Sequence, residues 1–570
     1  MGETVDERIE LESQPLNSST KVEIVTNANK IKEKPLPIGL TKEELMKYAN
    51  DPFWCKLRKT LFALFWLLWL AMFLGAFLII HYVPSCPASS KLRWYQRGAY
   101  SEMDMNLFDN RLTGLLTHMD TYSKAFGFDN WLLPAPYECD SNRKVLNFHK
   151  IDQDLGSIEE FSRIVSNLKV THKVNVLVDL DLSSTSIEHE WFKRFLAKDA
   201  AYVDFYVKID DVKKFKVNDR DYQLRQLDQS GQQIQILLYN GNPVLNLKSD
   251  RLFVELENSL RYWTAKGVRG FRLVNAPLVI PSLSTNGEVI AYTFDDELNR
   301  KFVAQLSSLV KSLVSDAVLL LKFKEEPKPK QSALFYGTET EPIADVVVSS
   351  LIADMNQHHH LNGNQLQQKL NEYLEAKPKW NGEAALQGPW TGWVIENIDE
   401  QQQQPQQSPL AFHCFNNVLG YLIPKSAPIT HVSQKLLPSK SIVDFWTQLD
   451  LRQTNGTLNQ QENLRLFHQL NQLRAANVES VLLGSIRFPF VNDHVFTMAR
   501  FSTTSGLLVL ANLDKRNPTE FQLNREFYLP VEGKVQFTCD SSRSSDETIA
   551  LDGNVSLRGG EVLIVRFEIA

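Results

Sequence analysis

The stretch GVRGFRLVNAP, Gly267–Pro277, decides how the rest of the chain is read. Before it, LFVELENSLRYWTAKG carries apolar residues at helical spacing, and Gly267 stands where a glycine ends a helix. The strand-like run VRGFRLV follows at once. The same alternation occurs upstream. SIEEFSRIVSNLKV places Ile158, Phe161, Ile164, Val165 and Leu168 on one helical face, and NVLVDLDL, residues 175–182, follows as an apolar run of the buried parallel-strand kind. Strand, helix, strand over some 350 residues predicts βα units closed into a (β/α)8 TIM barrel. EEPKPKQ and QQQQPQQ (Gln401 to Gln407) read as surface loops. The end of the chain changes character. FTMARFSTTSGLLVLANLD, KVQFTCDSS and EVLIVRFEI are short strands with turn signals and no long helix between them, which predicts a C-terminal antiparallel β-sandwich.

Composition narrows the function. At 570 residues the chain is too long for one ordinary domain, and 43% hydrophobic content supports large cores. A formal net charge of −6 argues against a nucleic-acid binder. There is no Gly-rich phosphate loop, no CxxC pair and no HExxH. His358 to His360 lie in a polar stretch without ligand spacing, so no metal and no cofactor is expected.

One segment does not belong to a soluble protein. LFALFWLLWLAMFLGAFLII, Leu61 to Ile80, has no charge and no polar face, and as a helix it spans a bilayer core of roughly 30 Å. Lys47, Lys56, Arg58 and Lys59 precede it, against Lys91 and Arg93 beyond it, so the N-terminus is expected in the cytosol. The predicted layout is a cytosolic tail at 1–60, a transmembrane helix at 61–82, a neck at 83–93, the barrel at 94–490 and the β domain at 491–570. Residues 1 to about 50 read as mostly disordered, up to a short helix that Thr41 caps with Glu44 as its box partner. Ala71 and Gly75 form a small-xxx-small pair for a partner helix, and Trp66 and Trp69, one turn apart, face partner or lipid.

The cysteines fit this topology. Cys55 sits at the cytosolic membrane edge, as a palmitate acceptor or a free thiol. Cys86, Cys139, Cys414 and Cys539 fall in the oxidising compartment, with pairing that sequence does not give. Asn455 (NGT) and Asn554 (NVS) are glycosylation sequons on the same side, while Asn17 lies in the cytosolic tail.

From Trp94 to about Pro489 the chain resembles the α-amylase family of glycoside hydrolases, and Asn492 onward resembles that family's C-terminal β domain. WYQRGAYSEM, IDQDLGSIEEF, NVLVDLDLSSTS, KGVRGFRLV and GWVIENIDE match its motifs in order. The resemblance implies a carboxylate nucleophile and a carboxylic acid about 5 to 5.5 Å apart. The nucleophile position is Val274. Asn275 is expected to point to the opposite face. Ser183 and Ser184 stand where the third-strand motif has Asn-His, and Ile398 and Asp399 where the seventh has His-Asp. Glu325 and Glu326 are the acids nearest the fifth strand. Arg272 and Asp399 survive, and are expected to form a structural ion pair. The expectation is an inactive barrel.

Residues 39 to 100, with GLTKEELMKYANDPFW, the Trp-rich helix, PSCP and RWYQRGAY, resemble the 4F2-type heavy chains of heteromeric amino-acid transporters. That resemblance implies a single-pass type II glycoprotein of the plasma membrane. It also implies a Cys86 disulfide to a multi-spanning light chain in a heterodimer, the heavy chain bringing the light chain to the surface and stabilising it. Cys86 lies six residues past Ile80, within about 20 Å of the membrane. The other reading of Cys86 is an internal bridge to Cys139, Cys414 or Cys539. The rival functions are a membrane-anchored α-glucosidase and an adhesion or signalling receptor.

Overall fold

The computed structural model describes residues 42–49, 51–82, 92–209, 215–216, 221–229, 231–276, 278, 282–283, 289–290, 297–357, 362–381, 386, 388–395, 410–432, 441–454, 462–524, 529–539 and 543–569. The chain divides into two units, Met1–Ala88 and Ser89–Ala570. Thr41 and the tail before it lie outside the described residues, as do Cys86, His358 to His360, Asp399 and Asn455.

In the first unit, a short helix at Lys42–Ala49 is followed by a long one at Pro52–Tyr82. The long helix starts at Pro52 rather than Leu61. Proline at the first helical position loses no hydrogen bond, and the Asp51 carboxylate accepts from the Phe53 amide at 2.9 Å. Pro52–Phe77 has a mean hydropathy of 2.1 and is not buried, so it is long and apolar enough to cross a membrane. Its rings form a stripe: Trp66 lies 6.2 Å from Phe62, Trp69 6.5 Å from Phe65, and Phe73 5.3 Å from Trp69. At about 100° per residue, Ala71 falls opposite this stripe and Gly75 within about 40° of Ala71. The two contact features read from the sequence therefore face opposite ways.

In the second unit eight parallel strands close a barrel: β1 (Tyr100–Met103), β2 (Asn130–Leu133), β3 (Asn175–Asp181), β4 (Gly270–Ala276), β5 (Val318–Phe323), β6 (Val346–Ser349), β7 (Trp390–Val394) and β8 (Ser426–Val432). Each pairs with its neighbours in sequence, and β8 returns to β1. Local chemistry sets the helix ends. Ser157 and Glu160 form a reciprocal capping box at Ile158–Asn167. Ser249 caps Asp250–Ala265, and Gly267 beyond its end has a φ of +99°, which favours glycine.

A six-stranded antiparallel sheet follows, in the order Ser485–Arg487, Val495–Phe501, Ser505–Asn512, Val562–Glu568, Glu532–Thr538, Thr548–Ala550. It begins at Ser485, before the expected boundary at 491. Period-two alternation splits its side chains. Phe496, Met498, Leu507, Val509, Ala511, Val562 and Ile564 join the barrel core. Val495, Ala499, Leu508, Leu510, Leu563 and Val565 form a second core with Phe521, Val555 and Leu557, the last three from a two-stranded sheet. Arg500, fully buried, ties the layers by donating to the carbonyls of Ser485, Gly484 and Leu422.

A disulfide joins Cys414, on the barrel helix Leu410–Leu422, to Cys539, just past the strand Glu532–Thr538. It closes a loop with a sequence separation of 125 residues. Replacing both cysteines by serine should lower the stability of the full-length protein in detergent by about 2–5 kcal/mol, read by chemical denaturation. An unchanged transition would mean that the cores alone fix the β domain to the barrel.

Candidate functional site

Strand register settles which side chains share the barrel interior. Arg272 on β4 pairs with Asp179 on β3, Glu102 on β1 with His431 on β8, and Lys322 on β5 with Val348 on β6 and through it with Gly392 on β7. These residues line one inner layer near the C-terminal ends of the strands, the end where barrels of this type carry active sites.

Arg272 holds that layer together. It is 1% exposed. Its guanidinium grips Asp179 in a bidentate pair, Nε to Oδ1 at 2.7 Å and Nη2 to Oδ2 at 2.7 Å, and Nη2 also reaches Glu102 Oε1 at 2.8 Å. Lys322 Nζ lies 3.8 Å from the same Glu102 oxygen. Burial by itself would raise the Glu102 carboxyl, but Arg272, with Lys322 behind it, outweighs burial and holds it well below the usual carboxylate range. In return Asp179 and Glu102 push Arg272 up against the effect of its own burial. Among the described residues the partners of Arg272 are thus Asp179 and Glu102, while Asp399, its expected partner, lies outside them.

Val274 sits on the rim, in register with Asp181. It offers neither a nucleophile nor a charge. Beside it the strand bulges between Leu273 and Ala276, and Asn275 takes a φ of +59°. This turns its side chain back to the rim, where Nδ2 donates to Asp181 Oδ2 at 2.9 Å. The simple strand alternation expected for Asn275 fails at this bulge. Asp181 is further engaged by Lys144 at 3.5 Å and by the Ser183 hydroxyl at 2.5 Å. Ser184 is fully buried and its backbone bridges Val244. Lys144 and Lys324 each stand 5.2 Å from the centre of the Tyr239 ring, and Lys324 also pairs with Asp221. Each of these carboxylates is engaged by a cation or a donor group of the chain itself.

The two acid candidates, just past the C-terminal end of β5, differ in their surroundings. Glu325 is exposed. Glu326 accepts from the Ser349 hydroxyl at 2.5 Å and the Ser350 amide at 2.6 Å. Val348 faces inward with Lys322, so Ser349 faces the outer helices, and Glu326 lies with it outside the barrel wall. Burial pushes the Glu326 carboxyl up to about 7 against those two hydrogen bonds. Lys322, a cation, occupies the inner face of β5. Among the described residues no cluster of His, Cys, Asp and Glu has the arrangement of a metal site.

The remaining predicted positions are dispersed. Asn554 is exposed on a strand and its Oδ1 accepts from Gln522 at 2.7 Å. The Cys139 thiol donates to the Tyr137 carbonyl at 3.2 Å, and burial pushes it up to about 11.

Two stability effects of opposite sign follow. Glu102 is lowered in the fold, so its contribution is present above the ordinary glutamate range and lost as pH falls below it. Arg272→Met leaves two buried carboxylates without their cation and should cost about 3–5 kcal/mol. Glu326 is raised, so its contribution is present below pH 4.5 and lost as pH rises toward 7. Glu326→Gln should therefore flatten the profile between those values and raise stability at pH 7 by about 1–3 kcal/mol. Thermal unfolding across pH checks both, and parallel profiles for wild type and Glu326→Gln would contradict the second.

Comparison with known proteins gives two domain matches. Residues 22–101 match the solute carrier family 3 member 2 N-terminus, and residues 103–405 match the alpha amylase catalytic domain. The mouse amino acid transporter heavy chain SLC3A2 is 24% identical over 572 aligned positions, covering 93% of this chain and 89% of that protein. The rabbit protein of the same name is 34% identical over 160, covering 27% and 30%. The salivary alpha-glucosidase of Aedes aegypti is 25% identical over 241, covering 38% and 42%. Among solved structures, trehalose-6-phosphate hydrolase from Bacillus licheniformis superposes with a TM-score of 0.64 at 15% identity, over 83% of this chain and 99% of that one. The likeness to that structure is one of fold.

Proposed function

The chain belongs to the alpha-amylase catalytic-domain family, and from that footing we propose that it is a non-catalytic heavy-chain subunit of an amino-acid transporter. One observation carries the loss of catalysis. The nucleophile position is Val274, while the inner face of β5 presents Lys322 and, among the described residues, Asp179, Glu102 and Asp181 are locked to Arg272, Lys144 and Asn275. A retaining glycosidase needs two free carboxyl groups facing one bond. The match to the mouse heavy chain over nearly the whole chain supports the heavy-chain role.

In this reading the protein is a single-pass type II glycoprotein of the plasma membrane, and it brings a multi-spanning light chain there and stabilises it. One membrane span encloses no substrate path, so transport belongs to the light chain. Ala71 and Gly75, the small-residue face opposite the rings, face that partner, and the aromatic stripe faces lipid. Cys86 carries the interchain disulfide. The Cys414–Cys539 bond uses two of its three internal candidates, and Cys139 is half-buried with a raised thiol, the less reactive form. Asn455 and Asn554 carry glycans.

Non-reducing electrophoresis of native membranes should show a heavier band that collapses on reduction. Cys86→Ser should abolish it, and Cys139→Ser should leave it. Wild type running as a monomer without reductant would sink the covalent partnership.

A further inference from the structure

The outer wall of the barrel carries a groove of about 610 Å³, within the range of small-molecule sites. One wall is the helix Glu297–Leu313, between β4 and β5, which presents Glu297, Arg300, Lys301 and Ala304 to it. These stand at i, i+3, i+4 and i+7 and so share one helical face, while Phe302, Val303, Leu306 and Val310 bury the opposite face in the core. The facing wall is the short helix Pro329–Ala333 with the tight turn after it, between β5 and β6. Small residues on every side leave the space open: Ala304 on the first wall, Ala333 and Gly337 on the second, and Ala376 from the end of the helix Gly363–Ala376. Gly337 has a φ of +75°, and a Cβ there would fall 2.2 Å from the Glu341 carbonyl oxygen, so that corner admits no side chain.

The charges lining the groove do not cancel in pairs. Lys301 Nζ lies 2.6 Å from Glu297 Oε1, and Lys301, then Arg300, hold that carboxyl below its ordinary range. Glu297 is thereby spent on Lys301. Arg300 is half-buried, its Nε–H is buried and unbonded, and among the described residues no carboxylate lies within ion-pair distance of its guanidinium. Lys330 and Glu341 also line the groove, both exposed and neither ion-paired among the described residues. Two cations thus face one carboxylate, and only Arg300 holds a buried donor without an acceptor. A guanidinium stays charged at every physiological pH and presents a planar fork of donors that a carboxylate matches. Next to it Ala304, Ala333 and Ile343 offer apolar surface.

We propose that this groove binds a small organic carboxylate with an apolar body, the carboxylate on the Arg300 guanidinium and the body over Ala304, Ala333 and Ile343. A charge-assisted bond to Arg300 supplies orientation, and the apolar floor selects against small, fully hydrated anions. The site uses none of the residues of the Arg272 network.

The test is ligand-observed NMR of 4-phenylbutyrate with the full-length protein in detergent, each spectrum referenced to protein-free micelles. Wild type should broaden the phenylbutyrate lines beyond that reference, and Arg300→Gln should weaken the apparent affinity about tenfold or more. The uncharged alcohol of the same shape, 4-phenylbutan-1-ol, should be broadened equally by the two proteins. Ala304→Leu keeps the cation and fills the floor, so it should also lose phenylbutyrate, and it decides the matter should Arg300→Gln not fold. No broadening by wild type beyond the micelles would overturn the site, as would an affinity that survives unchanged in Arg300→Gln or in Ala304→Leu. A loss of the alcohol in Arg300→Gln as large as that of the carboxylate would overturn recognition of the charge.

Discussion

The bidentate clasp of Arg272 on Asp179, extended to Glu102, is the contact on which the barrel interior depends. It joins β4 to β3 and crosses the lumen to β1. A buried charge of either sign is costly alone, so each member of the triad requires the others. In a sugar-cleaving relative, carboxylates at such a mouth must be free to attack, donate protons and change partners. Here they are held. The same interaction that stabilises the interior ties up Glu102 and Asp179, while Val274 stands at the rim and Lys322 lines the inner face of β5.

Much of this was legible in the sequence, and the exceptions have physical causes. The helix ending at Gly267 and the buried run NVLVDLDL follow from local periodicity and capping, and both stand in the structure. The long apolar helix was equally plain, although its start at Pro52 depends on a proline and an aspartate cap outside the apolar run. The partners of Arg272 were missed because they come from strands 93 and 170 residues away. A signal did exist: Asp179 and Asp181 are two apart on one strand and so share its inner face. Asn275 was misread because alternation assumes a regular strand, and the bulge with its positive φ is a feature of backbone pairing. Glu326 lies three residues beyond β5, where alternation no longer says which way a side chain points; the register of β6 does.

The β domain is more than an appendage. One face of its main sheet completes the barrel core, the other closes its own core, and a disulfide and a buried arginine join the layers. Such a body is suited to rigidity rather than opening and closing around a substrate. The long apolar helix has the opposite character, with rings on one side and small residues on the other.

The most direct measurement is hydrolysis of an aryl α-glucoside by the purified full-length protein, followed beside a Val274→Asp variant. With Lys322 on β5 and the carboxylates held by Arg272, neither protein is expected to turn over above the uncatalysed rate. Turnover by the wild type, abolished by Asp181→Asn, would show that the mouth still works as an active site and would contradict the non-catalytic reading.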